Sequence, residues 1–242
     1  MKLNYFLPTL LFFSISSFAS TDLRSTVPGI SIENTHLLFE GKNGSKVLRG
    51  SEPKNKVSEL IDYGITDVII FKNQTKSEVD TEIKNLLNAG IQESQIHHIP
   101  FLWKDIKNQT QACEQIIEAI QIIKNTISRK NRSVFFHCTV GQDRTGVLAG
   151  IFNMLQYNIS LKETFEHELC GRGYEAGNSS KPANVVGIIR KNLTPVFLKL
   201  AYAIETQGLT LKTITPKVCK SAMKSPNFST LSVEDTEAFI CR

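Results

Sequence analysis

Past its first two dozen residues this 242-residue chain has no apolar run long enough to cross a bilayer, so no transmembrane segment is expected in a mature form lacking that leader. It also lacks a concentrated basic stripe. Its 28 Lys and Arg exceed its 23 Asp and Glu only enough for a net charge of +5, which suits an anionic substrate but gives no reason to expect nucleic-acid binding. No internal repeat or low-complexity linker breaks the chain, which argues against a string of small modules. Histidine is sparse and poorly placed for a metal: His97 and His98 are neighbours on a predicted strand, so their side chains face opposite ways. Cysteine is sparse too, with five residues, and their positions become informative below.

The chain starts Met1-Lys2, runs through an apolar stretch over residues 6–18 and reaches Ser17-Phe18-Ala19 before Ser20. A charged start, a short apolar core and a small-residue site predict a signal peptide at 1–19. Pro8 and several serines interrupt the apolar stretch, which falls short of the roughly 20 residues of a membrane span. No cysteine follows the site, which argues against a lipoprotein. Several Asn-x-Ser/Thr triplets, such as those at Asn43 and Asn108, are read as chance products of an Asn-rich composition. The expected location is therefore bacterial, periplasmic or secreted.

Hydrophobic periodicity predicts a hairpin over residues 35–49 with a polar turn at 41–44, then strands at 68–71, 96–99 and 134–136. Helical spacing appears in Val79, Ile83, Leu86 and Leu87, ending at Gly90. It recurs in Cys113, Ile116, Ile117, Ile120 and Ile127, and again in Val147, Leu148, Ile151, Phe152 and Leu155. Further helix is predicted over 161–170 and 185–206. Strands alternating with helices imply an α/β domain, a mostly parallel central sheet flanked by helices, whose ligand lies beyond the carboxyl ends of the strands.

Residues 137–146 read His-Cys-Thr-Val-Gly-Gln-Asp-Arg-Thr-Gly, between the apolar run 134–136 and a helical pattern. A cysteine thus sits where a strand turns into a helix. With five residues between Cys138 and Arg144, one tight loop can wrap a tetrahedral oxyanion. Its N–H groups then point inward and the guanidinium closes the ring.

This stretch resembles the signature of the cysteine-dependent protein tyrosine and dual-specificity phosphatases. The segment 99–105, Ile-Pro-Phe-Leu-Trp-Lys-Asp, is similar to the one carrying that family's general acid, with Trp-Lys-Asp in place of Trp-Pro-Asp. Residues 47–53 and 64–70 are similar to the entry strand and first core strand of bacterial members, and the likeness covers roughly residues 40–175. It implies a dual-specificity phosphatase-like domain over 20–206 with a C-terminal extension, 207–242, possibly closed by a disulfide.

The resemblance also implies roles. Cys138 would be the nucleophile, its thiolate favoured by Arg144, the following helix and inward N–H groups. Arg144 would bind the phosphate and the transition state. Asp105 would be general acid and then base, Thr145 would hydrogen-bond the sulfur and His137 would support the loop. Thr139, Val140, Gly141, Gln142 and Asp143 would wrap the substrate phosphate, with no metal or other cofactor. Asp143 resembles the Asp-Arg pair of several phosphoinositide phosphatases and serves either as a second acid or as a brace for Arg144. Arg49 is read as a brace, and Trp103 as packing, hinge or substrate contact.

If Cys138 stays free, the other four cysteines can form two disulfides in an oxidising compartment. Cys219 with Cys241 and Cys113 with Cys170 are the expected pairs, though four cysteines allow three connectivities and Cys113 also fits a buried helical thiol. The expected substrate is a phosphorylated protein, through phosphotyrosine or phosphoserine/threonine. The rivals are an inositol phosphate or phosphoinositide, or a binding module without turnover.

Overall fold

The computed structural model describes residues 23–224 and 239–241; the predicted signal peptide and much of the predicted extension lie outside them. Five strands form one sheet: β1 (His36–Glu40), β2 (Lys46–Gly50), β3 (Asp67–Ile70), β4 (Ile96–His98) and β5 (Val134–His137). Their order is β1-β2-β5-β3-β4. β1 pairs antiparallel with β2 across the predicted hairpin turn, and the other neighbours are parallel. β5 is central, and Gly50, His137 and Ile70 align at the carboxyl ends of three adjacent strands.

Alternation along these strands divides the core in two. Val47, Ile69, Val134 and Phe136 face one cluster; Leu48, Val68, Ile70 and Phe135 face the other. The first side is covered by α3 (Gln109–Ile127), α4 (Asp143–Tyr157) and α7 (Thr194–Gln207); the second by α1 (Val57–Asp62) and α2 (Glu78–Asn88). Full burial of each strand phenylalanine contributes on the order of 2–3 kcal/mol.

The predicted helix over 161–170 is a turn of α-helix, α5 (Leu161–Glu163), followed by a wider π-helical stretch, Thr164–Leu169. The one over 185–206 is likewise α6 (Ala183–Ile188), a π stretch at Ile189–Leu193, and α7. Pro195 opens α7; a residue with no N–H breaks the regular hydrogen-bond ladder, and the backbone widens just before it.

The expected disulfides need correction. Cys113 pairs with Cys219 and Cys170 with Cys241. Cys219 lies on α8 (Lys217–Lys224), which packs on α3 and α7 and brings the two Cα atoms to 5.6 Å. Cys241 returns to the turn after the first π stretch, 5.2 Å from the Cα of Cys170, where its carbonyl accepts from Arg190 Nη2 at 3.4 Å. Nearness in sequence favoured the wrong partners. The described part of the predicted extension packs on the domain: Ile214, Val218, Ala222 and Met223 belong to the main core.

Candidate active site

Cys138 follows β5 at the centre of the sheet and is 1% exposed. The chain then turns through Thr139, Val140 and Gly141, and Asp143 opens α4, whose positive end faces the loop. Gly141 is required for the turn. Its φ is +67°, and a Cβ there would lie 2.6 Å from the backbone of Gly50 and Ser51. The Gly141 carbonyl accepts from Asn34 Nδ2 at 2.7 Å and from Arg49 Nη2; Arg49 Nη1 meets Glu168. Arg49, fully buried, is thus the predicted brace.

Burial by itself would push the Cys138 thiol up. The Arg144 guanidinium and hydrogen bonds from the Thr145 hydroxyl and backbone overcome that, against the opposing charge of Asp143, and bring it from 9.0 to about 7. The Cys138 N–H donates to Thr145 Oγ1 at 2.8 Å, which leaves the hydroxyl proton available to the sulfur. Arg144 Nη2 donates to Thr139 Oγ1 at 3.2 Å, so the guanidinium folds back over its own loop as the motif requires.

His137 lies beneath the loop. Its Nδ1 is 3.0 Å from the Cys138 carbonyl oxygen and its Nε2 is 2.7 Å from Glu82 Oε1. Asp143 is buried but does not hydrogen-bond Arg144. Its Oδ1 meets Lys181 Nζ at 2.5 Å and accepts from the Glu175 N–H at 3.1 Å. Burial raises its pKa against the pull of Lys181 and of Arg144.

Cys138 opens into a cleft of about 730 Å³ lined also by Thr139, Val140, Gln142, Asp143 and Arg144. Leu102, Trp103 and Lys104 form one wall and Asn178, Ser180 and Lys181 another. Leu102 and Val140 are 54% and 51% exposed at its rim. Asp105 is not among the lining residues. Its side chain, 64% exposed and 3.6 Å from Lys107, opens onto an adjoining cavity of about 360 Å³ that shares Leu102 with the first. The structure therefore brings together the predicted loop residues and the predicted acid's own loop, but not the acid's carboxyl.

Glu82, Lys72, Lys181, Asn34 and Glu168 were not singled out in the sequence. Glu82 alone had a signal: it falls three residues after Val79 and four before Leu86, on the buried stripe of α2. Among the described residues no group of three or more His, Cys, Asp or Glu side chains is gathered as a metal site needs. His97 pairs with Asp67 at 3.6 Å, whereas His98 meets the Lys72 carbonyl at 2.9 Å. No described helix is long and apolar enough to cross a membrane.

A buried cysteine drawn toward its thiolate, ringed by a strand-to-helix loop and closed by arginine, defines a phosphatase site. The chain matches the family described as dual specificity phosphatase, catalytic domain, over residues 49–169, and belongs to that family within the cysteine-dependent phosphatase superfamily. Among solved structures it is similar to the core catalytic domain of the PP-IP phosphatase SIW14 from S. cerevisiae. That match has 18% identity and a TM-score of 0.46, covering 67% of this chain and 93% of the other. It is also similar to P. aeruginosa TpbA, with 15% identity and a TM-score of 0.40 over 60% of this chain and 86% of that one. The Cydia pomonella PTP-2 phosphatase matches at 15% identity and a TM-score of 0.42 over 57% and 76%. No curated protein matches the chain.

Proposed function

We propose that this phosphatase hydrolyses phosphotyrosine in proteins through a phosphocysteine intermediate. The observation that carries the reading is the Cys138 thiol, lowered to about 7, on the floor of a cleft whose rim exposes Leu102 and Val140. A phosphate reaching that floor sits on the loop's N–H groups and Arg144, while the apolar rim suits the ring that carries it.

In the first step a lone pair of the thiolate forms the S–P bond as the P–O bond to the leaving group breaks, and that oxygen takes the proton of a carboxyl group, leaving it as carboxylate. In the second, water attacks phosphorus, gives its proton to the same carboxylate and releases the sulfur as thiolate. Asp105 is the proposed carboxyl. It stands on the loop that already contributes Leu102, Trp103 and Lys104 to the cleft, and an exposed pair with Lys107 does little to hold it away.

An inositol phosphate is the second reading, favoured by Lys104 and Lys181 in the cleft. The charge of Lys181, however, is already met by Asp143. Export with cleavage of residues 1–19 belongs to the same proposal, and two disulfides support an oxidising compartment.

Phosphate release from phosphotyrosyl and phosphoseryl peptides and from inositol phosphates tests the assignment. A preference for phosphotyrosine of about tenfold or more in kcat/KM is expected. Turnover of inositol phosphates with inert peptides transfers the assignment to the second reading.

A further inference from the structure

Three buried ionisable side chains and a partly buried fourth form a ladder beneath the phosphate loop. Glu52 Oε2 is 2.7 Å from Lys72 Nζ, Lys72 Nζ is 3.1 Å from Glu82 Oε2, and Glu82 Oε1 is 2.7 Å from His137 Nε2. Glu52 follows β2, Lys72 follows β3 and His137 ends β5, so the ladder ties the carboxyl ends of three adjacent strands. Glu82 enters from α2, on the sheet face where His137 stacks against the Phe135 ring, 5.5 Å between centroids. The side chains of His137, Lys72 and Glu82 are 0%, 1% and 3% exposed, so water does little to screen them.

We propose that Glu82 is a positioning residue for the phosphatase reaction, holding His137 doubly protonated and thereby fixing both the charge and the carbonyl orientation beneath Cys138. The proposal rests on the cysteine-phosphatase reading above. Both neighbours of the imidazole, a carbonyl and a carboxylate, offer only lone pairs: Nδ1 hydrogen-bonds the carbonyl, and Nε2 stands 2.7 Å from Glu82 Oε1 as an ion pair without hydrogen-bond alignment, a contact that a protonated ring makes attractive. Charge balance agrees: two carboxylates and one ammonium leave a buried negative charge that an imidazolium cancels. Burial and, less, the charge of Lys72 lower the His137 pKa, but Glu82 with the Cys138 carbonyl outweighs them and the result is raised; Glu82 itself is lowered, with burial opposing and His137 and Lys72 prevailing.

The positive ring then hydrogen-bonds the carbonyl of the nucleophile's own residue. The other charges around Cys138 are Arg144, which favours the thiolate, and Asp143, which opposes it while tied to Lys181. Replacing Glu82 by Gln removes the group that keeps His137 cationic, while Lys72 retains Glu52. A purely structural clamp would affect stability without altering the titration of the sulfur.

Cys138 is the free cysteine among the described residues, so its alkylation by iodoacetamide can be followed against pH in the intact protein. For Glu82→Gln the midpoint is expected to rise by about one pH unit, which cuts the thiolate fraction at pH 6 roughly tenfold and slows alkylation there about threefold, with the rate well above the midpoint no lower than in the wild type. Glu82→Asp should restore part of the shift. An unmoved midpoint in folded, vanadate-binding Glu82→Gln overturns the proposal. A wild-type midpoint near that of an ordinary thiol, with no turnover of aryl phosphate, would instead sink the phosphatase reading. Should Glu82→Gln not fold, histidine nitrogen NMR of the wild type decides. An imidazolium at His137 through pH 8 supports the inference, and a neutral ring there overturns it.

Discussion

Nη2 of Arg49 donates to the carbonyl oxygen of Gly141, joining the second strand of the sheet to the crest of the phosphate loop. The same guanidinium meets Glu168, whose other oxygen lies 3.3 Å from Asn153 Nδ2. Arg49→Met leaves that buried carboxylate without its cation, and a loss of about 3–5 kcal/mol is expected in denaturant unfolding. Pairing it with Glu168→Leu should recover much of the loss, because no buried charge is then stranded.

Gly141→Ala places a Cβ 2.6 Å from the Gly50 backbone at a φ of +67°. Neither the strand end nor the loop can yield without displacing the N–H groups that face the phosphate. A fall of roughly a hundredfold in kcat/KM is expected, with the circular dichroism spectrum largely retained.

Removing the proposed acid should act according to the leaving group. Asp105→Asn is expected to slow an alkyl or phenyl phosphate by about a hundredfold and a well-activated aryl phosphate far less. Equal losses on both substrates would point to Asp143, or another group in the cleft, as the proton donor.

The Cys138 thiol titrates near 7, below its ordinary value of 9.0. For an acid whose pKa is depressed the reactive anion accumulates as pH rises through that value. With a well-activated aryl phosphate, whose departure needs little help from an acid, the kcat/KM of the free enzyme should therefore fall about tenfold per pH unit below 7 and level off above it. Arg144→Lys weakens the largest favourable influence on the thiolate, so its limb should move to higher pH.

The sheet and its long helices were legible because their apolar spacing repeats over many residues. The grouping of Cys138, Arg144 and the loop between them was legible because one contiguous turn carries them all. α1 was missed, having six residues and only Val57 and Leu60 buried. Lys72, Glu82 and His137 come from three separate segments, and only the parallel register of β3 with β5 and the packing of α2 on the sheet bring them together. Asp105 was singled out from its local neighbours, but the direction of its side chain depends on how the loop over 100–107 rests against the rest of the fold. The disulfides failed for a related reason: proximity along the chain carries no information on which helix packs on α3.

In chain order the paired cysteines run 113, 170, 219, 241, joined first to third and second to fourth. Such interleaving means that any single peptide bond cut between 113 and 241 leaves two pieces still covalently joined. The alternative of neighbours paired would release separate fragments from a cut between 170 and 219. A protease that nicks the protein once in that stretch should leave one band on a non-reducing gel and two after reduction.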